Sequence, residues 1–320
     1  MPIEQVKGAQ ARLVLDYETS FGSNPATANG IILPFNTYTV SKKQSLIDSK
    51  TIVSHGNPTE PGRGRITVDG KATFPFCYRT IGHILKMILG APTTTGTTPT
   101  YTHTYKIDKT KAMPSAVIEK GFIDLGQYFL QNGVKFGGFS FNYGEDAELE
   151  ISVDTIMAAT ESTGTSAYDS DAASIVIAKA SQFQASLKEG GSTIAIVKSG
   201  SINVNRNLDG SNFVVSTTNA RASIPESVPS VTGSLKAIFK DMTLVNKAMA
   251  GTKTSLELKF EASASQSVTF TFPEIIYETP EIGINGPAGI ELDFNWRGFY
   301  ASATEATSAQ VVLINDTASY

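Results

Sequence analysis

The 320-residue chain contains one cysteine, one tryptophan and three histidines. A lone cysteine excludes an internal disulfide and any cysteine-rich zinc site. Cys77 ends the apolar string Phe74-Pro-Phe-Cys77 and reads as a buried, inert thiol. No apolar run approaches the roughly 20 residues that span a bilayer. The opening string Met1-Pro-Ile-Glu-Gln-Val-Lys7 lacks the apolar core of a secretory signal, so synthesis in a reducing cytoplasm is expected, with no membrane partner. Charge is also scarce, at 18% of residues with a net charge of −4. The lysines and arginines are scattered, and no basic stripe marks a surface that would hold nucleic acid through its phosphates. Much of the surface must then be Ser, Thr, Asn and Gly. That composition suits contact with other copies, because charged residues are depleted at interface cores.

Catalytic signatures are missing as well. There is no Gly-x-Ser-x-Gly elbow, P-loop, Gly-x-Gly-x-x-Gly or His-Glu-x-x-His string. The string Asn205-x-Asn207-x-Asp209-Gly210 imitates the start of a calcium loop. Position twelve, which needs a bidentate glutamate, is Ser216, so a polar turn is the better reading. His55, His83 and His103 lie far apart in sequence and read as packed or solvated side chains. Glu145, Asp146, Glu148 and Glu150 could flank a glycosidic bond, but they read more simply as acids on a solvated hairpin. Tyr168-Asp-Ser-Asp171 is another acidic loop. No cofactor or metal is expected, and the chain does not read as an enzyme.

What is present is alternation with a period of two, which predicts a mainly β protein. Strands are expected at 11–15, 38–40, 65–76, 101–107, 115–120, 133–143 and 148–156. More follow at 175–177, 182–187, 193–198, 202–204, 231–239, 255–262, 267–272, 275–278, 290–296 and 310–314. Two apolar stripes predict short helices, one over 78–89 stopped by Gly90 and one over 241–249 with Asp241 as N-cap. Segment 91–100, rich in Thr and Gly, is expected as a surface loop. Two long polar segments, 41–64 and 205–229, carry apolar beads: Leu46, Ile47, Ile52 and Val53 in the first, Phe213, Val214, Ile224 and Val228 in the second. Loops of that length are usually functional, and the beads predict docking.

A strand-then-helix block occurs twice. Thr67-Val-Asp-Gly-Lys71-Ala-Thr-Phe74 matches Thr232-Gly-Ser-Leu-Lys236-Ala-Ile-Phe239 at Thr, Lys, Ala and Phe, and each copy runs into a helix that ends at glycine. The expectation is two tandem β-sandwich or barrel units, each with one helix and one long loop. Their bounds are 1–160 and 175–303, with a linker at 161–174 and a tail at 304–320.

Several strings then resemble the tail tube proteins of long-tailed bacteriophages: Tyr17-Glu-Thr-Ser-Phe21-Gly22, Leu33-Pro-Phe35, the 64–76 strand, Ile84-Leu-Lys-Met-Ile-Leu-Gly90 and Pro114-Ser-Ala-Val-Ile-Glu-Lys-Gly121. The resemblance covers most of the chain and implies a virion protein. In that family each unit lends a sheet to the inner barrel of a ring, and rings stack into a hollow tube. The lumen holds a tape-measure protein and later passes DNA, and tail-tip and terminator proteins close the ends. A long loop reaches neighbouring subunits or rings. Such rings are usually hexamers, whereas two units per chain would let three chains build a pseudo-hexamer; both stoichiometries stay open. On this reading Thr67, Asp69, Lys71, Thr73, Thr232, Ser234 and Lys236 face the lumen. Ile66, Val68, Phe74, Val231, Leu235 and Phe239 pack the core. Three other readings also stay open: a β-sandwich adhesin or surface-appendage subunit, the tube of a contractile injection apparatus, and a carbohydrate-active β-sandwich.

Overall fold

A computed structural model describes residues 5–144, 146–215, 219–284, 288–301 and 305–320. Glu145, Ser216 and the 303/304 boundary lie outside the described residues. The protein is mainly β, with 48% strand and 8% helix, and its sheet does not close into a barrel.

In chain order the first strands are β1 (Ala11–Tyr17), β2 (Ile31–Ile32), β3 (Thr37–Tyr38), β4 (Ser41–Ile47) and β5 (Gly62–Pro75). Helix α1 (Ile81–Leu89) follows, then β6 (Thr93–Thr97), β7 (Thr100–Lys106), β8 (Ala116–Phe122), β9 (Gln127–Phe136), β10 (Gly138–Tyr143), β11 (Glu150–Ala158) and β12 (Thr160–Gly164). Next come β13 (Ala173–Ser174), β14 (Ala185–Glu189), β15 (Ser192–Thr193), β16 (Val197–Asn205) and β17 (Ser230–Ile238). Helix α2 (Thr243–Ala250) leads to β18 (Thr254–Ser263), β19 (Gln266–Tyr277), β20 (Glu291–Gly298) and β21 (Gln310–Asn315).

One antiparallel run crosses the whole chain: β4–β5–β11–β10–β16–β17–β20, with β3 also on β5. A second run is β15–β14–β18–β19–β21–β7–β6. A third is β2–β1–β8–β9–β12, with β13 parallel to β2. β9 and β19 are shared: each begins in an outer run, and its last residues reach the first run, at Phe136↔Ile156 on β11 and Tyr277↔Trp296 on β20.

Alternation decides which face is buried. On β20, Leu292, Phe294 and Trp296 are buried while Glu291, Asp293 and Asn295 are exposed. The apolar faces meet in one core, where the ring centroids of Phe141 and Phe270 are 4.9 Å apart and those of Phe272 and Trp296 also 4.9 Å. Burying each such ring contributes about 1.5–3 kcal/mol. Every residue of α1 except Lys86 is buried, which its stripe of Ile81, Ile84, Leu85 and Ile88 anticipates.

Five local expectations are corrected. Segment 41–64 is not all loop: Ser41–Ile47 pairs with the start of β5, so its polar side chains lie on an arm exposed on both faces, where no buried face imposes alternation. Segment 91–100 forms half of the β6–β7 hairpin, with no buried residue in β6 to show it. Thr160–Gly164 is strand, and Ile175–Ile177 is not. Asp241 caps α2 from one residue further out than expected, its carboxylate accepting the Thr243 amide at 2.8 Å.

Candidate functional site

The exposed face of the first run is paved with short polar side chains. The register aligns Thr73 on Ser152, Ser152 on Ser140, Ser140 on Asn203, Asn203 on Thr232 and Thr232 on Arg297. A neighbouring row runs Asn142–Ser201–Ser234–Asn295. The side chains bond within the face: Ser201 and Ser234 share a hydrogen at 2.8 Å, Ser140 donates to Asp154 at 2.7 Å, and Thr37 donates to Thr73 at 3.0 Å. These are hydroxyls and one carboxylate that satisfy one another. They leave few strong donors free for an anion.

The charges on this face are mixed and mostly paired. Glu291 lies against Lys198 and, at 3.6 Å, Lys236. The bond from Lys198, then the two cations' fields, hold the Glu291 carboxyl below the usual carboxylate range. Arg297 donates to Glu278 at 3.1 Å. At the far end Glu278, Glu281, Glu291 and Asp293 line a shallow acidic depression beside Asn295.

Of the sequence-expected face residues, Thr73, Thr232, Ser234 and Lys236 stand together on this surface, and Val231 and Leu235 on its buried side. Thr67 pairs with Lys43 on the arm, and Lys71 is exposed at the Thr39 crossing. Asp69 is engaged elsewhere: Arg221, reaching in from the 206–229 segment, binds its two oxygens at 2.6 and 3.0 Å. The same guanidinium donates to the carbonyls of Gly210, Val68 and Ala158. Among the apolar beads, Leu46, Ile47, Ile52, Val214 and Val228 are exposed, and Val53 and Phe213 are half-buried. Ile224 is buried within the chain itself.

The polar rows on β10, β11, β16 and β20 escape a reading based on the repeated string alone. Their signal was in the sequence: Ser140/Asn142, Ser152/Asp154, Ser201/Asn203 and Asn295/Arg297 each alternate with large apolar residues. Among the described residues no group of His, Cys, Asp and Glu is placed to hold a metal ion. His83 and His103 do converge, on the ring of Tyr320, with centroids 4.8 Å away in both cases, but as packed aromatic partners. No helix among the described residues is long and apolar enough to cross a membrane.

No curated protein matches the chain. The family model described as phage tail tube protein matches residues 8–298, nine-tenths of the sequence, along both long arms and the whole polar face. The chain belongs to the phage tail tube protein family and is a structural component of a phage tail.

Proposed function

We propose that this chain self-assembles into rings that stack into the hollow tail tube, and that DNA passes through the lumen lined by the polar face of β5–β11–β10–β16–β17–β20. The observation that carries the reading is that one antiparallel run spans both halves of the chain and keeps a face paved mostly with hydroxyl, amide and charged side chains, with Ile238 as an exposed apolar residue at the end of β17. A duct for DNA must not bind phosphate. Polar groups that hydrogen-bond to each other, with acids outnumbering free cations, satisfy that requirement. Closing the sheet between subunits also removes exposed strand edges, which would otherwise template aggregation.

Three chains per ring is the stoichiometry we propose, because the strand–helix order β5–α1 recurs as β17–α2 and each chain supplies two units of the sheet. We take the units as two sandwich halves, 1–160 and 175–303, each followed by one strand that pairs back onto it, β12 and β21. The role is architectural, not catalytic. The tape-measure protein during assembly, and tail-tip and terminator proteins at the ends, are its partners. It is made in the host cytoplasm and ends in the virion.

Negative-stain electron microscopy of the purified protein, dilute and concentrated, tests this. Rings or tubes with three-fold averages support it, and six-fold averages that resolve six whole chains overturn the stoichiometry. Cysteine at Ser234 supplies the lumen test. A reagent too bulky for the lumen should label Ser234→Cys in free subunits and not in tubes; equal labelling in both removes the lumen assignment.

A further inference from the structure

The two halves repeat one pairing plan. β1 pairs with β8 as β14 pairs with β18. β5 pairs with β11 as β17 pairs with β20. β12 lies on β9 as β21 lies on β19. The register fixes the correspondence. Gly70 opposes Ile156 and Gly233 opposes Trp296, so Gly233 stands where Gly70 does. The shared pattern is Val68-x-Gly70-x-Ala72 against Val231-x-Gly233-x-Leu235, two residues off the string match of Thr67 with Thr232. Phe136 opposes Ile156 as Tyr277 opposes Trp296, so Tyr277 stands where Phe136 does.

That correspondence lays residues 279–284 on β10. The patterns agree: Phe139, Phe141 and Tyr143 alternate with small polar residues, and Pro280, Ile282 and Ile284 alternate with Glu281 and Gly283. The environments agree at Pro280, buried as Phe139 is, and diverge beyond it. Phe141 is 4% exposed, whereas Ile282 is 47% and Ile284 83% exposed. The difference is a neighbour. β10 has β16 along its outer edge. Segment 279–284 has no strand on its outer edge among the described residues. The same logic lays β3–β4 on β16, since Ser41 opposes Asp69 as Asn203 opposes Thr232. The outer edge of β3–β4 is likewise not paired with a strand among the described residues and is covered instead by side chains of β8, β9 and β12. Its Val40 carbonyl accepts from the Lys120 and Gln131 side chains, and its Lys42 amide donates to Glu161.

The chain thus holds one complete joint, β10–β16, and two half-joints of matching form. We infer that the half-joints complete each other between chains: residues 279–284 of one chain pair antiparallel with β3–β4 of a second copy, in the register that β10–β16 displays. Ser140↔Asn203 becomes Glu281 opposite Ser41, and Phe141↔Ile202 becomes Ile282 opposite Val40. Ile282 is covered as Phe141 is, and the side chains on the Val40 carbonyl and Lys42 amide give way to strand partners. Charge fits as well. Lys42 and Lys43 on the β4 edge approach the acidic edge of Glu278, Glu281, Glu291 and Asp293. The arms follow the same rule. The 206–229 segment folds back over β5 and β11 of its own first half through Arg221, so the β4–β5 arm, with Leu46, Ile47 and Ile52 exposed, lies over β17 and β20 of the neighbour in the same ring.

This inference rests on the reading that the chain forms rings, and its test is read separately. The double variant Ser41→Cys/Glu281→Cys is assembled, oxidised mildly and run on a denaturing gel without reductant, beside electron micrographs of the same sample. Residues opposite each other in an antiparallel pair are within disulfide reach. Expected are covalent oligomers ending at a closed three-chain species, at least tenfold above either single variant and lost on reduction; native Cys77 is fully buried and does not contribute. Tubes in the micrograph with only monomer on the gel overturn the joint and leave the tube intact. No rings or tubes from the unmodified protein overturn the reading beneath it. If the cysteines themselves block assembly, a charge swap decides. Lys43→Glu should cut tube yield at least tenfold and Glu281→Lys in the same chain should restore it; undiminished yield from Lys43→Glu overturns the joint.

Discussion

At the scale of single residues, two polar side chains inside the structure have calculable consequences. Arg221 is 7% exposed and carries Asp69 together with three backbone carbonyls. Removing it strands those acceptors. Asp69 is one-third exposed, so water recovers part of the loss. Arg221→Ala should therefore destabilise by about 2–3 kcal/mol, and Asp69→Asn by less, in urea unfolding of the unassembled chain. His83 is the second case. It packs between the Tyr17 hydroxyl, 3.0 Å from Nδ1, and the Tyr320 ring, with Lys86 one turn away on α1 and Tyr105 across the Tyr320 ring. Burial, then the Lys86 charge, pushes its pKa down to about 4. The unfolded chain binds the proton more readily, near pH 6.5, so the contribution is complete above that pH and is lost as pH falls toward 4. Removing this group should flatten the stability curve in that window. His83→Gln is expected to lose less stability than the unmodified chain between pH 6.5 and 4, the difference being on the order of 2–3 kcal/mol.

At the scale of elements, the arm and the sheet make opposite demands. Residues 48–61 of the β4–β5 arm contain Ile52, 98% exposed, and no buried side chain. Replacing that tip with a short Gly-Ser turn should leave the urea midpoint of the monomer within about 0.5 kcal/mol of its original stability while abolishing tubes in electron micrographs. Gly233 behaves in the other way. A Cβ there would sit 2.3 Å from the Ser201 carbonyl oxygen and 2.4 Å from the Trp296 ring. Gly233→Val should cost at least about 2–3 kcal/mol, because neither the strand nor the indole can yield in a packed core. These elements also mark what was legible in the sequence. Strands with one buried face announced themselves, as Leu292, Phe294 and Trp296 do on β20, and so did α1. β4 and β6 did not, because nothing along them is buried and alternation carries no information there. The repeat was legible only in part. The string match and the strand register name the same two strands and the same parity but differ by two residues, because Thr and Lys recur on solvent faces where register is weakly written, whereas Gly70 and Gly233 lie at matching pairing positions. Arg221 carries no local signal for its ion pair: apart from Gly210, its partners Val68, Asp69 and Ala158 are brought to it only by the fold.

At the scale of the whole molecule, the halves are interwoven, not strung together. β21, near the C-terminal end, lies between β7 of the first half and β19 of the second. β10 and β16 join the halves in the first run. Phe76 and Phe141 of the first half pack on Phe260 and Phe270 of the second. Neither half can open without exposing rings and strand edges of the other, so unfolding in one step is expected despite the duplicated plan. The chain carries its own two probes. Trp296 reports on the second half and Cys77 on the first, and both are fully buried. Trp296 fluorescence and the reactivity of Cys77 toward a thiol reagent, followed through urea, should share one midpoint and one slope. Separate midpoints would mean that the halves are thermodynamically independent. The β10–β16 joint would then be a weak contact, and a ring built on copies of that joint would need contacts from the arms to hold it closed. A shared midpoint means that the joint unfolds with the core it belongs to, and the proposed ring would reuse that joint between chains, less the cost of association.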